Sequence, residues 1–274
     1  MGPRFFPSLP LYFITALFLF TPSLCAGDDP LFTNCSRPFN CGIFKNLSFP
    51  FWGDTRPLYC GQQGYKLSCN GIDTYPGISI NSPEFILLGI DQLAQPQMMT
   101  LSRTLPCPTT LNYSLFSPDK TVVNMTLFSS CSESNLSRVR IEPSRRINCT
   151  TNGESGASKF SLFLRDNETN LVSCQEKVVG PVPNEALDEF NSGTLNLSGT
   201  LMRNFNVQGL TDNDFCERCL RSGGRCGSNR NSPESFACYC RDRRYDIECG
   251  GNAMHCTIIF FSITVLILFK LLVN

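Results

Sequence analysis

Short hydrophobic segments alternate with polar, turn-forming residues along most of the chain. Five of these segments have the length, period and bounding turn residues of strands, and they cover residues 65–69, 77–80, 85–90, 122–128 and 159–164. The best candidate for a helix is Asn184 to Phe190, which is only about two turns long. The pattern therefore predicts a loop-rich, mostly β fold.

Both ends of the chain are more apolar than its middle. Residues 1–26 contain Arg4, a 12-residue apolar stretch and small residues at the end, which is typical of a secretory signal peptide. Residues 256–273 are apolar apart from Lys270 and predict a tail helix that spans the membrane once. A lipid-anchor signal is the alternative, because residues 250–253 are small.

The sixteen cysteines indicate an oxidising compartment. Leaving out Cys25 in the leader and Cys256 beside the tail, the remaining fourteen predict a disulfide framework whose pairing the sequence does not give. These fourteen are Cys35, Cys41, Cys60, Cys69, Cys107, Cys131, Cys149, Cys174, Cys216, Cys219, Cys226, Cys238, Cys240 and Cys249. The spacings Cys216-x-x-Cys219 and Cys238-x-Cys240 would also suit a metal, but the secretory signal favours disulfides. We therefore expect no metal and no cofactor.

Eight Asn-x-Ser/Thr sequons predict a heavily glycosylated outer region. They begin at Asn34, Asn46, Asn112, Asn124, Asn135, Asn148, Asn167 and Asn196. The sequons at Asn34 and Asn148 have a cysteine in the middle, so glycan transfer and disulfide closure compete there.

Cysteine spacing predicts two extracellular Cys-rich modules, residues 27–131 and residues 132–250. Cysteines crowd the start of the first module and the end of the second. Six of them fall between Cys216 and Cys249, where there are too few residues to enclose a large apolar core. Small disulfide-rich modules, followed by the apolar tail, are thus the predicted architecture.

Composition argues against catalysis and against nucleic-acid binding. The only histidine is His255, beside the apolar tail, so mechanisms that need a histidine base lack that group. The sequence has no glycine-rich loop, His-Arg-Asp or Asp-Phe-Gly motif of a kinase. The 23 basic and 23 acidic residues give a net charge of zero, which excludes binding driven by attraction to phosphate. We predict a chain that is not an enzyme.

Two sets of cysteines, glycines and aromatic residues resemble the extracellular region of one family of plant receptors. The first set resembles the galacturonan-binding domain of wall-associated receptor kinases and their leaf-rust-resistance-locus relatives, and consists of Cys35, Cys41-Gly42, Phe49-Pro50-Phe51-Trp52, Pro57, Cys60-Gly61, residues 65–69 and Cys107. The second set resembles the C-terminal wall-associated-kinase domain, and consists of residues 206–209, 216–219, 222–227 and 236–240. Such receptors usually continue into a kinase, whereas this sequence stops at Asn274, so the resemblance implies a kinase-less relative.

The resemblance implies that pectin, a polymer of galacturonate, is the ligand. Aromatic rings stack on sugar C–H surfaces and cations pair with uronate carboxylates. Candidate platforms are therefore Trp52, Phe51, Tyr59 and Tyr65, and candidate anion partners are Lys45, Arg56 and Lys66. Core packing is the competing interpretation of Phe49, Phe51 and Trp52, and it is the one we favour for them.

A second hypothesis concerns the basic cluster between Cys216 and Arg244. This segment has seven basic and three acidic residues and no sequon, so it would suit a wall polyanion, anionic lipid headgroups or a receptor ectodomain. A solvated surface explains the same charges. From the whole sequence we expect a non-catalytic binder of acidic wall polysaccharide at the outer face of the plasma membrane. The alternatives are a protein-interaction ectodomain that pairs with receptor kinases, as co-receptor or decoy, and a truncated receptor-like kinase.

Overall fold

The computed structural model describes most of the chain between the two apolar ends, namely residues 27–69, 71, 74–79, 84–91, 97–108, 110–131, 141–149, 159–165 and 168–250. The predicted leader (1–26), the predicted tail helix (256–273) and the sequons at Asn135 and Asn167 lie outside these residues. Within them, no helix has both the length and the apolar character needed to cross a membrane.

Strands dominate the described residues, so the predicted mostly β, disulfide-rich fold is confirmed. In chain order they are β1 (Phe39–Cys41), β2 (Phe44–Leu47), β3 (Trp52–Gly53), β4 (Lys66–Ser68), β5 (Gly77–Ser79), β6 (Glu84–Asp91), β7 (Met98–Arg103), β8 (Phe116–Pro118), β9 (Val122–Cys131), β10 (Arg146–Cys149), β11 (Lys159–Leu162), β12 (Cys174–Pro183), β13 (Phe205–Gly209), β14 (Arg225–Asn229), β15 (Ser232–Tyr239) and β16 (Arg244–Tyr245). The five strands predicted from the sequence are confirmed as β4, β5, β6, β9 and β11.

The helices are short. They are α1 (Pro30–Ser36), α2 (Asn184–Asn191), α3 (Leu197–Met202) and α4 (Asn213–Arg221), with single 3₁₀ turns η1 (Leu58–Cys60) and η2 (Pro143–Arg145). The predicted helix is confirmed as α2. Helix α1 begins at Pro30 because the Asp29 carboxylate accepts the Leu31 N–H at 2.7 Å and proline suits the first turn.

Each of the two larger sheets is built from strands that lie far apart in the sequence. One has the order β3-β4-β5-β6-β7-β13-β8, and the other has the order β10-β11-β9-β12. Strand β13 lies between β7 and β8, and β9 lies between β11 and β12. The Cys131–Cys174 disulfide also joins residues on either side of the predicted module boundary at 131/132. Although that boundary divides the chain, it does not divide the sheets.

A buried arginine links the two larger sheets. Side chains in β7 alternate between buried and half-buried, and the last inward-facing one is Arg103. Its guanidinium donates to the carbonyl oxygens of Pro181 in β12, at 2.6 Å, and Leu201 in α3, at 2.8 Å. It also lies 5.1 Å from the ring centroid of Phe205 in β13. Burial lowers the pKa of Arg103 to about 10.

Twelve of the fourteen cysteines named above form disulfides in the described residues. The pairs are Cys35–Cys60, Cys41–Cys69, Cys131–Cys174, Cys216–Cys226, Cys219–Cys238 and Cys240–Cys249. Cys107 and Cys149 are present as thiols in this structure, so a disulfide at these two of the fourteen cysteines stays a prediction. The sulfurs of Cys238, Cys240 and Cys249 lie within 4.8 Å of one another, but all three are in disulfides, so they are not the thiolates that a metal requires.

We predict that Arg103→Met destabilises the fold by about 3 kcal/mol, because it leaves the two buried carbonyl oxygens without donors. The matched control is Arg203→Met, since Arg203 is exposed and pairs with Glu189 at the surface, where loss of the pair costs about 1 kcal/mol or less. Urea unfolding of the two variants measures the difference. Equal losses of stability would contradict the structural role assigned to Arg103.

Candidate functional site

A C-terminal cluster of disulfides packs tightly against the start of the described chain. Strand β14 passes over η1 so closely that a Cβ on Gly227 would lie 2.1 Å from the Tyr59 carbonyl oxygen. Only glycine fits at this position. One residue further on, the Ser228 hydroxyl donates to the Leu58 carbonyl oxygen at 3.3 Å. The two segments are thus in direct backbone contact.

Disulfides hold both sides of this contact. Cys35–Cys60 ties α1 to η1, and Cys216–Cys226 ties α4 to β14. Phe49 is 8% exposed and packs among the C-terminal cysteines, with its ring edge-on to that of Phe236 at 5.8 Å. The two sides leave a cleft between them.

The cleft has a volume of about 270 Å³ and is rich in arginine. Arg37, Arg56 and Arg225 line it, and Ser36 and Ser48 add hydroxyl groups. Phe49 and Leu220 supply apolar surface. Its described lining residues include no aspartate or glutamate. The cleft therefore combines positive charge with a small apolar wall.

Arg56 is almost completely buried, with 6% of its surface exposed. Its Nε and Nη2 atoms donate to the Cys60 carbonyl oxygen at 3.2 and 3.1 Å, and Nη1 donates to the carbonyl oxygens of Cys35 and Arg37, both at 3.3 Å. These bonds satisfy the guanidinium but bring no negative charge. Burial accordingly lowers the pKa of Arg56 to about 10.

Arg225 is held from the opposite side of the cleft. Its Nε donates to the Ser36 hydroxyl at 3.1 Å, and its guanidinium lies 5.3 Å from the ring centroid of Phe32. Among the described residues, no carboxylate pairs with Arg37, Arg56 or Arg225. Arginine pairs with carboxylates through two parallel hydrogen bonds, so the cleft is suited to a carboxylate ligand.

The rest of the predicted basic cluster is largely neutralised. Five of its seven arginines lie within 4.0 Å of a carboxylate, in the pairs Arg218–Glu248, Arg221–Glu217, Arg241–Asp28, Arg243–Asp242 and Arg244–Asp246. The other two, Arg225 and Arg230, instead stack on Phe32 and Tyr59. Positive charge without a carboxylate partner is thus concentrated where the segment 216–244 packs against the start of the described chain.

Two of the sequence-predicted site residues lie together on a separate part of the surface. Trp52 and Lys66 are direct partners in the parallel pair β3–β4. The exposed Lys66 ammonium lies 5.7 Å from the half-buried indole of Trp52, whose Nε1 donates to the Gln62 carbonyl oxygen at 2.9 Å. A cation beside an aromatic face can bind a uronate, but Phe51 is fully buried and takes no part.

The other predicted residues do not join these two places. Tyr65 is fully buried and donates to the Leu115 carbonyl oxygen at 2.8 Å, and burial raises the pKa of its hydroxyl. The exposed Lys45 donates to the Gly42 carbonyl oxygen at 3.1 Å. Tyr59 is half-buried, with its ring 5.9 Å from that of Tyr239.

Arg37 was not among the predicted site residues, and Arg225 was predicted only as part of the basic cluster. Arg225 contacts Ser36, which is 189 positions away along the chain. No local pattern signals that contact.

The six described sequons differ in exposure. Asn46, Asn124, Asn148 and Asn196 are exposed, whereas Asn34 and Asn112 are half-buried. The Asn34 amide donates to the Tyr59 hydroxyl at 2.9 Å, and the Asn196 side chain caps α3 by accepting the Gly199 N–H at 2.8 Å. Glycosylation of these sites stays a prediction.

Each side of the cleft lies in a region that matches a known protein-family model. Residues 35–103 match the family model of the wall-associated receptor kinase galacturonan-binding domain, and residues 142–243 match that of the wall-associated receptor kinase C-terminal domain. Arg37 and Arg56 belong to the first match and Arg225 to the second. No solved structure matches the chain.

The relatives are receptor-like kinases of Arabidopsis thaliana. The leaf rust 10 disease-resistance locus receptor-like protein kinase-like 1.2 is 29% identical over 252 residues, which cover 86% of this chain and 37% of the relative. The corresponding protein 2.5 is 28% identical over 260 residues, which cover 85% of this chain and 38% of the relative. This chain therefore carries the galacturonan-binding and C-terminal domains of the extracellular region of wall-associated and leaf-rust-resistance-locus receptor-like kinases.

Proposed function

We propose that this chain is a non-catalytic ectodomain that binds acidic wall polysaccharide, a galacturonan, at the outer face of the plasma membrane. Both matched domains are extracellular types, and one is named for galacturonan binding. The observation that carries the proposal is the cleft, where Arg37, Arg56 and Arg225 meet and, among the described residues, none has a carboxylate partner.

A uronate carboxylate would supply the missing negative charge. Arg225 and Arg37 contact the carboxylate, while the buried Arg56 adds positive potential from the wall. Phe49 and Leu220 contact the C–H surface of the sugar ring. The volume of the cleft, about 270 Å³, lies below the range of about 300–1,000 Å³ that is usual for sites enclosing a larger ligand. It would thus take one part of the polymer and leave the rest outside.

The Trp52–Lys66 pair is the alternative place for the same ligand. Its exposed ammonium and half-buried indole offer one cation and one stacking face. It has a single charge where the cleft has three, so the cleft is the favoured site.

We predict that Arg37→Gln and Arg225→Gln each weaken binding of a short, fully de-esterified oligogalacturonate by about tenfold, or ~1.4 kcal/mol, through loss of a charge-assisted contact. Calorimetric titration of the detergent-solubilised full chain, at low and at physiological salt, measures both affinity and salt dependence. Lys177→Gln, an exposed lysine in β12, is the matched control and should bind like the wild type. Arg56 is not substituted, because its loss would leave buried carbonyl oxygens without donors.

The alternative binding site and the alternative function give different results in the same titration. Weakened binding in Lys66→Gln, with wild-type binding in both arginine variants, would move the site to the Trp52–Lys66 pair. If the wild-type chain bound no oligogalacturonate at either salt concentration, the protein-interaction ectodomain would replace the proposed function.

A further inference from the structure

Two cysteines differ from all others in the described chain. Cys107 and Cys149 carry no disulfide, although the twelve other described cysteines are paired. They are not remote from each other, because a hydrogen bond joins their side chains. Cys149 is half-buried at the end of β10, and the Ser161 hydroxyl lies 4.0 Å from its sulfur.

We propose that Cys107 and Cys149 form a seventh disulfide in the secreted chain. Side chains in hydrogen-bond contact can reach disulfide geometry by small adjustments of their torsion angles. The chain has a predicted secretory leader, and its other described cysteines are oxidised, so the same compartment would oxidise this pair.

The reaction is a thiol–disulfide exchange with a protein disulfide oxidant. One cysteine, as its thiolate, attacks the oxidant's S–S bond and forms a mixed disulfide while one oxidant sulfur leaves as a thiol. The second cysteine then attacks the mixed disulfide and releases the other oxidant sulfur. The chain loses two protons and two electrons, and the oxidant's disulfide becomes two thiols.

The bond would join the two larger sheets covalently. Cys107 follows β7 of the seven-stranded sheet, and Cys149 ends β10 of the four-stranded sheet. Arg103, at the end of β7, already links these sheets through its hydrogen bond to Pro181 in β12, and it also donates to Leu201 in α3. A seventh disulfide would fix the same junction independently of Arg103.

Peptide mapping of the wild-type secreted chain tests the pairing without any substitution. The chain is alkylated in denaturant and digested without reduction. Denaturant is needed because burial raises the pKa of the Cys149 thiol to about 12, so in the native fold a thiol would react too slowly to be counted. We expect a linked peptide that contains both cysteines and weighs two hydrogens less than the separate peptides. Alkylation of both cysteines would overturn the proposal.

Serine variants give a second readout. Cys107→Ser, Cys149→Ser and the double variant should lower the midpoint of thermal unfolding by the same amount, since either substitution removes the whole bond. Cys149→Ser keeps the sequon at Asn148, so glycosylation there is not deleted with the thiol. Unchanged midpoints in all three variants, or effects that add in the double variant, would contradict a disulfide.

An independent observation concerns the sequon at Asn46, whose three residues Asn46, Leu47 and Ser48 all line the arginine cleft. The backbone at Asn46 has a φ of 54°, and its N–H donates to the Asn40 side chain at 2.9 Å. Leu47 is buried in the core. The sequon is therefore anchored at the cleft, while the Asn46 side chain is exposed.

We infer that an N-glycan on Asn46 stands at the mouth of the cleft and limits which galacturonans reach the arginines. This inference rests on the proposed function. A short oligomer can enter past the glycan, whereas a long polymer must displace it.

Two variants, Asn46→Gln and Ser48→Ala, remove this glycan by substituting different residues of the same sequon. Both should raise the affinity for long galacturonan, relative to the affinity of the same variant for a short oligomer, by about tenfold. Asn124→Gln, which removes an exposed sequon on β9, is the control and should change neither affinity. Binding is measured on the glycosylated full chain, with site occupancy determined by mass spectrometry.

Two results would overturn the inference while leaving the proposed function intact. One is an unoccupied Asn46 in the wild-type chain, and the other is an unchanged ratio of the affinities for long and short galacturonan after the glycan is lost. Failure of every variant and the wild type to bind either ligand would overturn the proposed function as well.

Discussion

The cleft depends on one close approach between backbones that are distant in sequence. At Gly227, β14 lies so near the Tyr59 carbonyl oxygen that a single added carbon would collide with it. Segments this small bury too little apolar surface to hold such a contact, so disulfides on either side maintain it. The separation of Arg37 from Arg225 is therefore set by this docking, since the two residues share no helix or strand.

Two buried arginines make the same kind of hydrogen bond but have different roles in the structure. Arg56 and Arg103 both donate to main-chain carbonyl oxygens, and burial lowers the pKa of each to about 10. A desolvated charge without a counter-ion is costly, and dipoles of carbonyl groups offset only part of that cost. Arg103 lies between sheets, where it contributes to packing. Arg56 borders the cleft, where a bound anion can offset the remaining free-energy cost of burying its charge.

The sequence predicted the local structure better than the site. Strands such as β6 and β9 and helix α2 follow from patterns within ten residues, and they were confirmed. Helix α1 was not predicted, because it depends on a cap at Asp29 and on packing more than on a helical repeat. Arg56 was a candidate anion partner of the predicted ligand, yet its burial against the Cys35 and Cys60 carbonyl oxygens depends on tertiary contacts. The contact between Arg225 and Ser36 has no local signal at all.

Neutralisation of the C-terminal arginines also bears on specificity. Exposed ion pairs at the surface leave little field beyond the Debye length of about 8 Å at physiological salt, so a polyanion would not be held by the segment as a whole. Recognition then depends on contacts inside the cleft. Arginines alone would accept phosphate or sulfate as readily as a carboxylate. Phe49 and Leu220 beside them offer surface that only a ligand with C–H groups next to its charge can use, and a uronic acid has both on one ring.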